Sequence, residues 1–527
     1  MSTLDTLVLD RARGACPNCE TVRGALNSAS SQETLVEVND TARVERKMGD
    51  TELSYYLPAR GNGVNDMYLH LGLTAPAHIL ERERIRLVWA ILRIRHPLLA
   101  SKVDMHSYDD VRFVYMPPHS VENALENAGN NLEYRTQTKD ELIDSYLNGP
   151  RTLSNDRISY LMISFPRDSA SSGTPVRCEF LICAAHFLGD GMALHQFAND
   201  FFSLLGSTTT SELASLLCTE WQARCSKLED HLSLPSALED RLPLVKGKFS
   251  QLASRIDFQR HQEKLIGGHT FPRKSGASRH TIVPTVAIDQ NRTKDLLKRC
   301  KDHGVSISSA LFAICNIAWA KTSGEKPEMP TLLYSALNLR PYLMASKPSH
   351  ESYWFLAIGY FNVVLPGFLP RSSDLAATFW HRARSAKAQS TAAAQNPMII
   401  SRSREMARKR SQQARAWAKE DDDKERGVWT APPTTPKKSG PPSNALVGLS
   451  LLGNLDGIYK HSAFPSIKLE TLTTGSRQRA GGMLLFGYTF VGKLWLSLGY
   501  DANGYDKDMV KRFWNNVLDC TQEFLIN

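Results

Sequence analysis

The chain has 527 residues, 42% of them hydrophobic and 22% charged. That is an ordinary globular balance, enough for roughly two to four domains and for a core that needs no covalent staple. The net charge of +9 leaves two options open: a polyanionic partner such as nucleic acid, a membrane surface or a phosphorylated cofactor, or simply a basic surface that favours solubility. Nine cysteines, an odd number in a long chain, argue against a disulfide framework.

The first 45 residues are polar and without period, which predicts a loosely docked extension. Within them Cys16-Pro17-Asn18-Cys19 has metal-ligand spacing, but no second Cys-x-x-Cys exists to complete a zinc site, and no metal is implied. Residues 1–25 hold no sustained apolar run, so no signal peptide is expected. From about residue 47 the pattern tightens. Ile85, Val88, Ala90, Ile91, Leu92 and Ile94 make a helical face over 81–95, stopped by Pro97. Residues 111–115 and 157–165 are predicted strands. The segment 176–185 begins with polar positions and loses them, the mark of a strand buried on both faces. A helix over 192–205 follows, with Ala193, Phe197, Phe201, Leu204 and Leu205 on one stripe.

The mixed, basic stretch 226–280 places the crossing between two lobes, 46–265 and 266–527. In the second lobe the spacing predicts a strand over 281–288, an apolar helix over 306–320, and a strand over 331–337 running into Asn338-Leu339-Arg340-Pro341. Helices follow over 374–394 and 401–420. The Pro-, Thr- and Lys-rich stretch 430–442 reads as part of a crossover loop near 420–445. Strands over 446–455, 483–491 and 494–500 and a closing helix over 507–524 complete the order. The apolar stretch 481–500 reads as a hairpin turning at Gly492-Lys493, and the apolar run 353–366 is too short to span a bilayer. No membrane span and a cytoplasmic location are expected. No nucleic-acid recognition motif is present.

The segment that carries chemistry is His186-Phe187-Leu188-Gly189-Asp190-Gly191, set between a strand and a helix. A strand delivers His186 to a sheet end, where reactive groups collect on loops. Its imidazole titrates near neutrality and can take a proton from an attacking hydroxyl or amine. Asp190 is placed to cap the helix, and Gly191 allows close backbone approach. The same His-x-x-x-Asp spacing recurs at His106–Asp110, but there no strand leads in and Val111 replaces the glycine. Context decides between the two copies.

His186 to Gly191 resembles the His-x-x-x-Asp-Gly signature of the chloramphenicol-acetyltransferase-like superfamily. Leu92–Leu99, Ser335–Pro341 and Leu449–Leu455 resemble other segments of that superfamily in the same order. Leu485-Phe486-Gly487-Tyr488-Thr489 stands where plant BAHD enzymes have Asp-Phe-Gly-Trp-Gly, so the chain looks closer to fungal alcohol and trichothecene-type acetyltransferases. Ala185 stands where condensation domains usually carry a second histidine.

The resemblance implies an α/β fold, an α+β sandwich of two similar lobes with a central channel and His186 near its middle. It implies no permanently bound cofactor, acetyl-CoA or another acyl-CoA as co-substrate, and a hydroxylated small-molecule acceptor, such as a terpenoid. It makes His186 the base, pairs Asp190 with Arg340, and offers the Gly191 N–H, Asn338 and Ser450 as oxyanion donors. Arg477, Arg479, Lys437 and Lys438 are candidates for the phosphates of coenzyme A. So are Arg402, Arg404, Arg408, Lys409, Arg410 and Arg415, which otherwise line a solvated helix. A monomer is expected, since both lobes belong to one chain. An amide-forming or carrier-protein-dependent enzyme, or a non-catalytic binder of the same fold, are the alternatives.

Overall fold

The computed structural model describes residues 43–166, 175–225, 234–274, 276, 278–323, 326–344, 352–370, 374–431 and 441–526. Cys16, Cys19, Lys437 and Lys438 lie outside the described residues.

Three sheets organise the chain. The first has five strands in the order Lys468–Ser476, Met67–Ala75, Val176–Ala184, Ser159–Ser164, Leu132–Arg135. Its pairs are antiparallel except the last. The strand Val176–Ala184 is central, with all residues from Cys178 to Ala184 buried, so its late apolarity follows from covered faces. The second sheet runs Ile358–Leu365, Thr331–Asn338, Ala445–Asn454, Met483–Phe490, Lys493–Asp501, with the short strands Thr281–Ile282 and Thr285–Ile288 both on the far edge. A small third sheet joins Val44–Lys47, Val111–Tyr115 and Lys102–Met105.

Each large sheet carries its own helices. Arg82–Arg95 and Gly191–Ser207 pack in the first core with Trp89, Phe180, Phe197 and Phe201. Ile307–Ser323, Leu375–Ala394 and Lys507–Thr521 pack in the second, around Phe312, Phe379 and Phe513. Among the described residues no single helix is long and apolar enough to cross a membrane.

Several expectations are corrected. The stretch 281–288 is two short strands broken at Pro284, which has no N–H to give the ladder while its carbonyl accepts from Leu498. The hairpin turns one residue earlier than expected, at Val491-Gly492, both with positive φ (48° and 70°). A β-branched residue rarely adopts that conformation, and Asp456 holds it by accepting from the N–H groups of Val491 (2.7 Å) and Gly492 (3.0 Å). On the helix Gly191–Ser207 it is Phe202 that is buried, and Leu204 lies nearer the surface.

The helix expected over 401–420 runs Ile399–Glu425 and takes in the acidic run 421–423. That run is neutralised: Asp422 accepts from Arg60 and from the Tyr108 hydroxyl, and Asp423 pairs with Arg426.

The largest correction concerns the lobes. A cut at 265/266 does not separate them, because the strand Lys468–Ser476 leaves the second lobe and forms the edge of the first sheet beside Met67–Ala75. This strand is therefore one crossing between the lobes; of the stretch near 420–445, residues 432–440 lie outside the described residues. Arg477 fixes its return. The buried guanidinium donates to the carbonyls of Tyr146 (3.0 Å), Asn62 (3.1 Å) and Gly149, all in the first lobe. Those carbonyls take three of its five N–H groups and the side chain is buried, which argues against the sequence-based expectation that Arg477 holds a phosphate. The helix Ile399–Glu425 ties the lobes in the opposite sense, lying on Asp50–Ala59 with Ala414 and Ala418 in the first core.

Removing the Arg477 side chain strands three acceptors in a buried corner. We expect Arg477→Ala to lose at least about 2 kcal/mol in chemical denaturation, with no change in the affinity for acyl-CoA beyond what the loss of folded protein explains.

Candidate active site

His186 follows the central strand of the first sheet, in a turn closed by the Leu188 N–H donating to the Ala185 carbonyl (3.0 Å). Its Nδ1 lies 3.1 Å from the Gly189 carbonyl. A carbonyl can only accept, so Nδ1 carries the proton and Nε2 presents a lone pair. The ring is half-buried and packs on the Tyr55 ring, centroids 4.2 Å apart. Burial pushes its pKa below the usual histidine value. The cation of Arg410 pushes the same way, while the Asp190 carboxylate and the Gly189 carbonyl partly oppose.

Asp190 does not touch the imidazole. It caps the helix Gly191–Ser207, with Oδ1 accepting from the N–H groups of Met192 (3.1 Å) and Ala193 (3.3 Å). The same carboxylate accepts from Arg340 Nη1, 2.7 Å from Oδ2 and 3.0 Å from Oδ1, and from the Ala357 N–H at 3.0 Å. Arg340 in turn donates to the carbonyls of Tyr353 (3.2 Å) and Phe355 (3.1 Å). The carboxylate of the first lobe thus takes half its donor groups from the second, and the segment 352–357 is fastened over the His186 turn. Trp354 from that segment is fully buried, and a Cβ on Gly189 would stand 2.9 Å from its ring. That close approach is the reason for glycine at 189.

The remaining sequence-based candidates divide. Among the described residues no acceptor takes the Gly191 N–H, which lies at the positive end of its helix beside the His186 turn. A Cβ on Gly191 would meet Leu452 at 3.3 Å, so the strand Ala445–Asn454 comes up to the loop. Leu449 and Leu451 pack in the second core and Leu452 in the first, so Ser450 shares the face of Leu452. Asn338 is exposed, and its Oδ1 accepts from the Arg340 N–H (3.1 Å); it shapes the Arg340 turn. Arg479 is exposed and, among the described residues, has no ion-pair partner. His106 is exposed and Asp110 pairs with Arg112, so the second His-x-x-x-Asp is a surface turn.

Around His186 the structure brings together residues that no spacing or motif singles out as a group. Tyr55 comes from the helix Asp50–Ala59, Tyr360 from the edge strand of the second sheet, Arg410 from the helix Ile399–Glu425. The Tyr55 and Tyr360 hydroxyls are hydrogen-bonded to each other. The helix of Arg410 is less solvated than expected: Arg402 pairs with Asp257, Arg404 donates to the Glu239 and Leu242 carbonyls, and Arg415 pairs with Asp109.

No family model matches the chain. In sequence it is similar to the O-acetyltransferase pigM of Monascus ruber, 23% identical over 360 residues, a match that spans 66% of this chain and 62% of that protein. In structure it is similar to the TRI3 trichothecene 15-O-acetyltransferase of Fusarium sporotrichioides, with a TM-score of 0.69 at 14% identity, covering 94% of this chain and 99% of that one. The polyketide synthase associated protein 5 of Mycobacterium tuberculosis superposes with a TM-score of 0.53 at 12% identity, over 90% of this chain and 99% of that one. The condensation domain of the Monacolin K polyketide synthase MokA superposes with a TM-score of 0.54 at 11% identity, over 92% and 98%. The fold is the one these proteins share. It is the chloramphenicol-acetyltransferase-like α/β fold that the signature residues imply.

Two outcomes follow from the geometry. Asp190→Ala leaves Arg340 without its counter-charge and uncaps the helix, and we expect a loss on the order of 3–5 kcal/mol in denaturation, well beyond that of a surface Asp→Ala control. An imidazole must be neutral to accept a proton, and the pKa of His186 is depressed. The acidic limb of kcat/KM for any transfer that uses His186 should therefore have its midpoint below about 6.5, with a plateau through neutral pH.

Proposed function

We propose that the chain is an acyl-CoA-dependent O-acyltransferase, with acetyl-CoA as its donor and a hydroxyl of a largely apolar secondary metabolite as its acceptor. The observation that carries this reading is the fixed tautomer of His186: Nδ1–H is committed to the Gly189 carbonyl, so Nε2 is a base of defined direction on the half-buried imidazole. The similarity to O-acetyltransferase pigM and to the TRI3 acetyltransferase supports the reaction class.

In this reading donor and acceptor meet in a channel between the lobes. Nε2 takes the acceptor's hydroxyl proton as its oxygen attacks the thioester carbonyl. The tetrahedral oxyanion forms near the helix start, where the Gly191 N–H is the available donor and Ser450 a second. Collapse expels the coenzyme A thiolate, which takes the proton back from His186, and no acyl-enzyme is needed. Asp190 and Arg340 act by holding the turn. Arg479, Lys409 and the residues Lys437 and Lys438 are the cations left for the phosphates.

The test is thiol release from acetyl-CoA with hydroxylated terpenoids, polyketides and simple alcohols, for the parent and His186→Ala. Release should require an acceptor and fall by roughly 10²–10⁴ in the mutant. Release that is unaffected by the substitution would sink His186 as base. Transfer from an acylated carrier protein but from no CoA thioester would favour the condensation-type reading instead.

A further inference from the structure

One cation beside the base has no counter-charge. Arg410 is half-buried, its guanidinium 4.4 Å from the centre of the Tyr360 ring and 5.2 Å from that of Tyr55. Other arginines of its helix have partners: Arg402 with Asp257, Arg408 with Glu405, Arg415 with Asp109. Among the described residues no carboxylate lies within ion-pair distance of Arg410. A guanidinium held in a protein cleft without an anion carries an uncompensated desolvation cost, and bidentate pairing with a planar anion is what best offsets it.

The two tyrosines add donors. Their hydroxyls share one hydrogen bond, which uses one of their two protons and leaves the other for a third group. The guanidinium and a phenol O–H thus stand together. The position is informative: Tyr55, which Arg410 covers, is the ring stacked on His186. The cation is therefore one aromatic ring from the base. The pantetheine arm keeps the phosphates of coenzyme A many bonds from its thioester, so a donor reacting at His186 cannot place them here.

We propose that Arg410, with the Tyr55 and Tyr360 hydroxyls, binds a carboxylate on the small molecule that reacts at His186. This narrows the acceptor class of the transfer reading on which it rests: the acceptor is an apolar hydroxy acid, and a carboxylate carried instead on the acyl group is an outcome that the test separates. Binding involves no bond-making step, so it can be measured apart from turnover.

The experiment is calorimetric titration of the full chain with aromatic and alicyclic hydroxy acids, each paired with its own methyl ester, and with malonyl-CoA and succinyl-CoA against acetyl-CoA. Parent, Arg410→Gln and Arg410→Lys are compared, with circular dichroism and thermal melting to show that each is folded. In at least one pair the parent should bind the acid about tenfold or more tightly than its neutral counterpart. Arg410→Gln should erase that preference, and Arg410→Lys, which keeps charge without the fork, should retain part of it. Which arm responds tells whether acceptor or acyl group carries the carboxylate. Equal binding within every pair, or a preference that survives Arg410→Gln, overturns the proposal. So does an equal fall in kcat for acid and ester acceptors, which would make Arg410 an oxyanion stabiliser. An acid preference in a protein that releases no thiol would refute transfer while leaving the carboxylate site standing.

Discussion

The Asp190 carboxylate is the constraint on which the arrangement of the site depends. It sits at the junction of the lobes with little water access and accepts from two N–H groups of its own helix, from the Ala357 N–H and from Arg340. A buried carboxylate is tolerated when its lone pairs are taken up in this way. Because half of those donors belong to the other lobe, the cap of one helix is also the latch between lobes. The His186 turn is short, so fixing Asp190 fixes the imidazole. His186 is then directed by its contact with the Gly189 carbonyl, with no carboxylate partner on the ring among the described residues.

The lobes are interlocked as well as latched. The strand Lys468–Ser476 completes the first sheet, and the Tyr488 hydroxyl from the second sheet donates to the Leu472 carbonyl of that strand (2.8 Å). The helix Ile399–Glu425 crosses the other way and meets the first lobe through Arg60, Asp50 and Tyr108. The crossings have a chemical consequence. They put Tyr55 of the first lobe against Tyr360 and Arg410 of the second, next to the base. Neither lobe alone contains that cluster.

Electrostatics follow from the enclosure. A half-buried imidazole with a cation one ring away resists protonation, burial contributing most. The start of the helix Gly191–Ser207 supplies a donor and the positive end of a dipole on the same side. The surroundings therefore favour a neutral imidazole and a negative charge near the helix start.

Local chemistry was legible in the sequence wherever it rests on neighbours along the chain. The late apolarity of 176–185, the glycines around Asp190 and the helical stripe after it located the strand, the turn and the capped helix, because each is set by spacing and side-chain type within one segment. The Arg340 turn was legible only through likeness to a known signature. The rest depended on contacts between distant segments. Nothing near Lys468 distinguishes an edge strand of the first sheet from one of the second, since β-pairing is chosen by the partner surface. Arg477 reads like any basic residue until three buried carbonyls surround it. Trp354 and Tyr360 read as part of an apolar run and Arg410 as a solvated-helix or phosphate-binding cation, yet the tertiary structure sets Trp354 against Gly189 and the other two around the Tyr55 ring beside His186. What remains with tertiary structure is which charges meet: Arg402 finds Asp257 and Arg410 finds none among the described residues, though both stand on one helix.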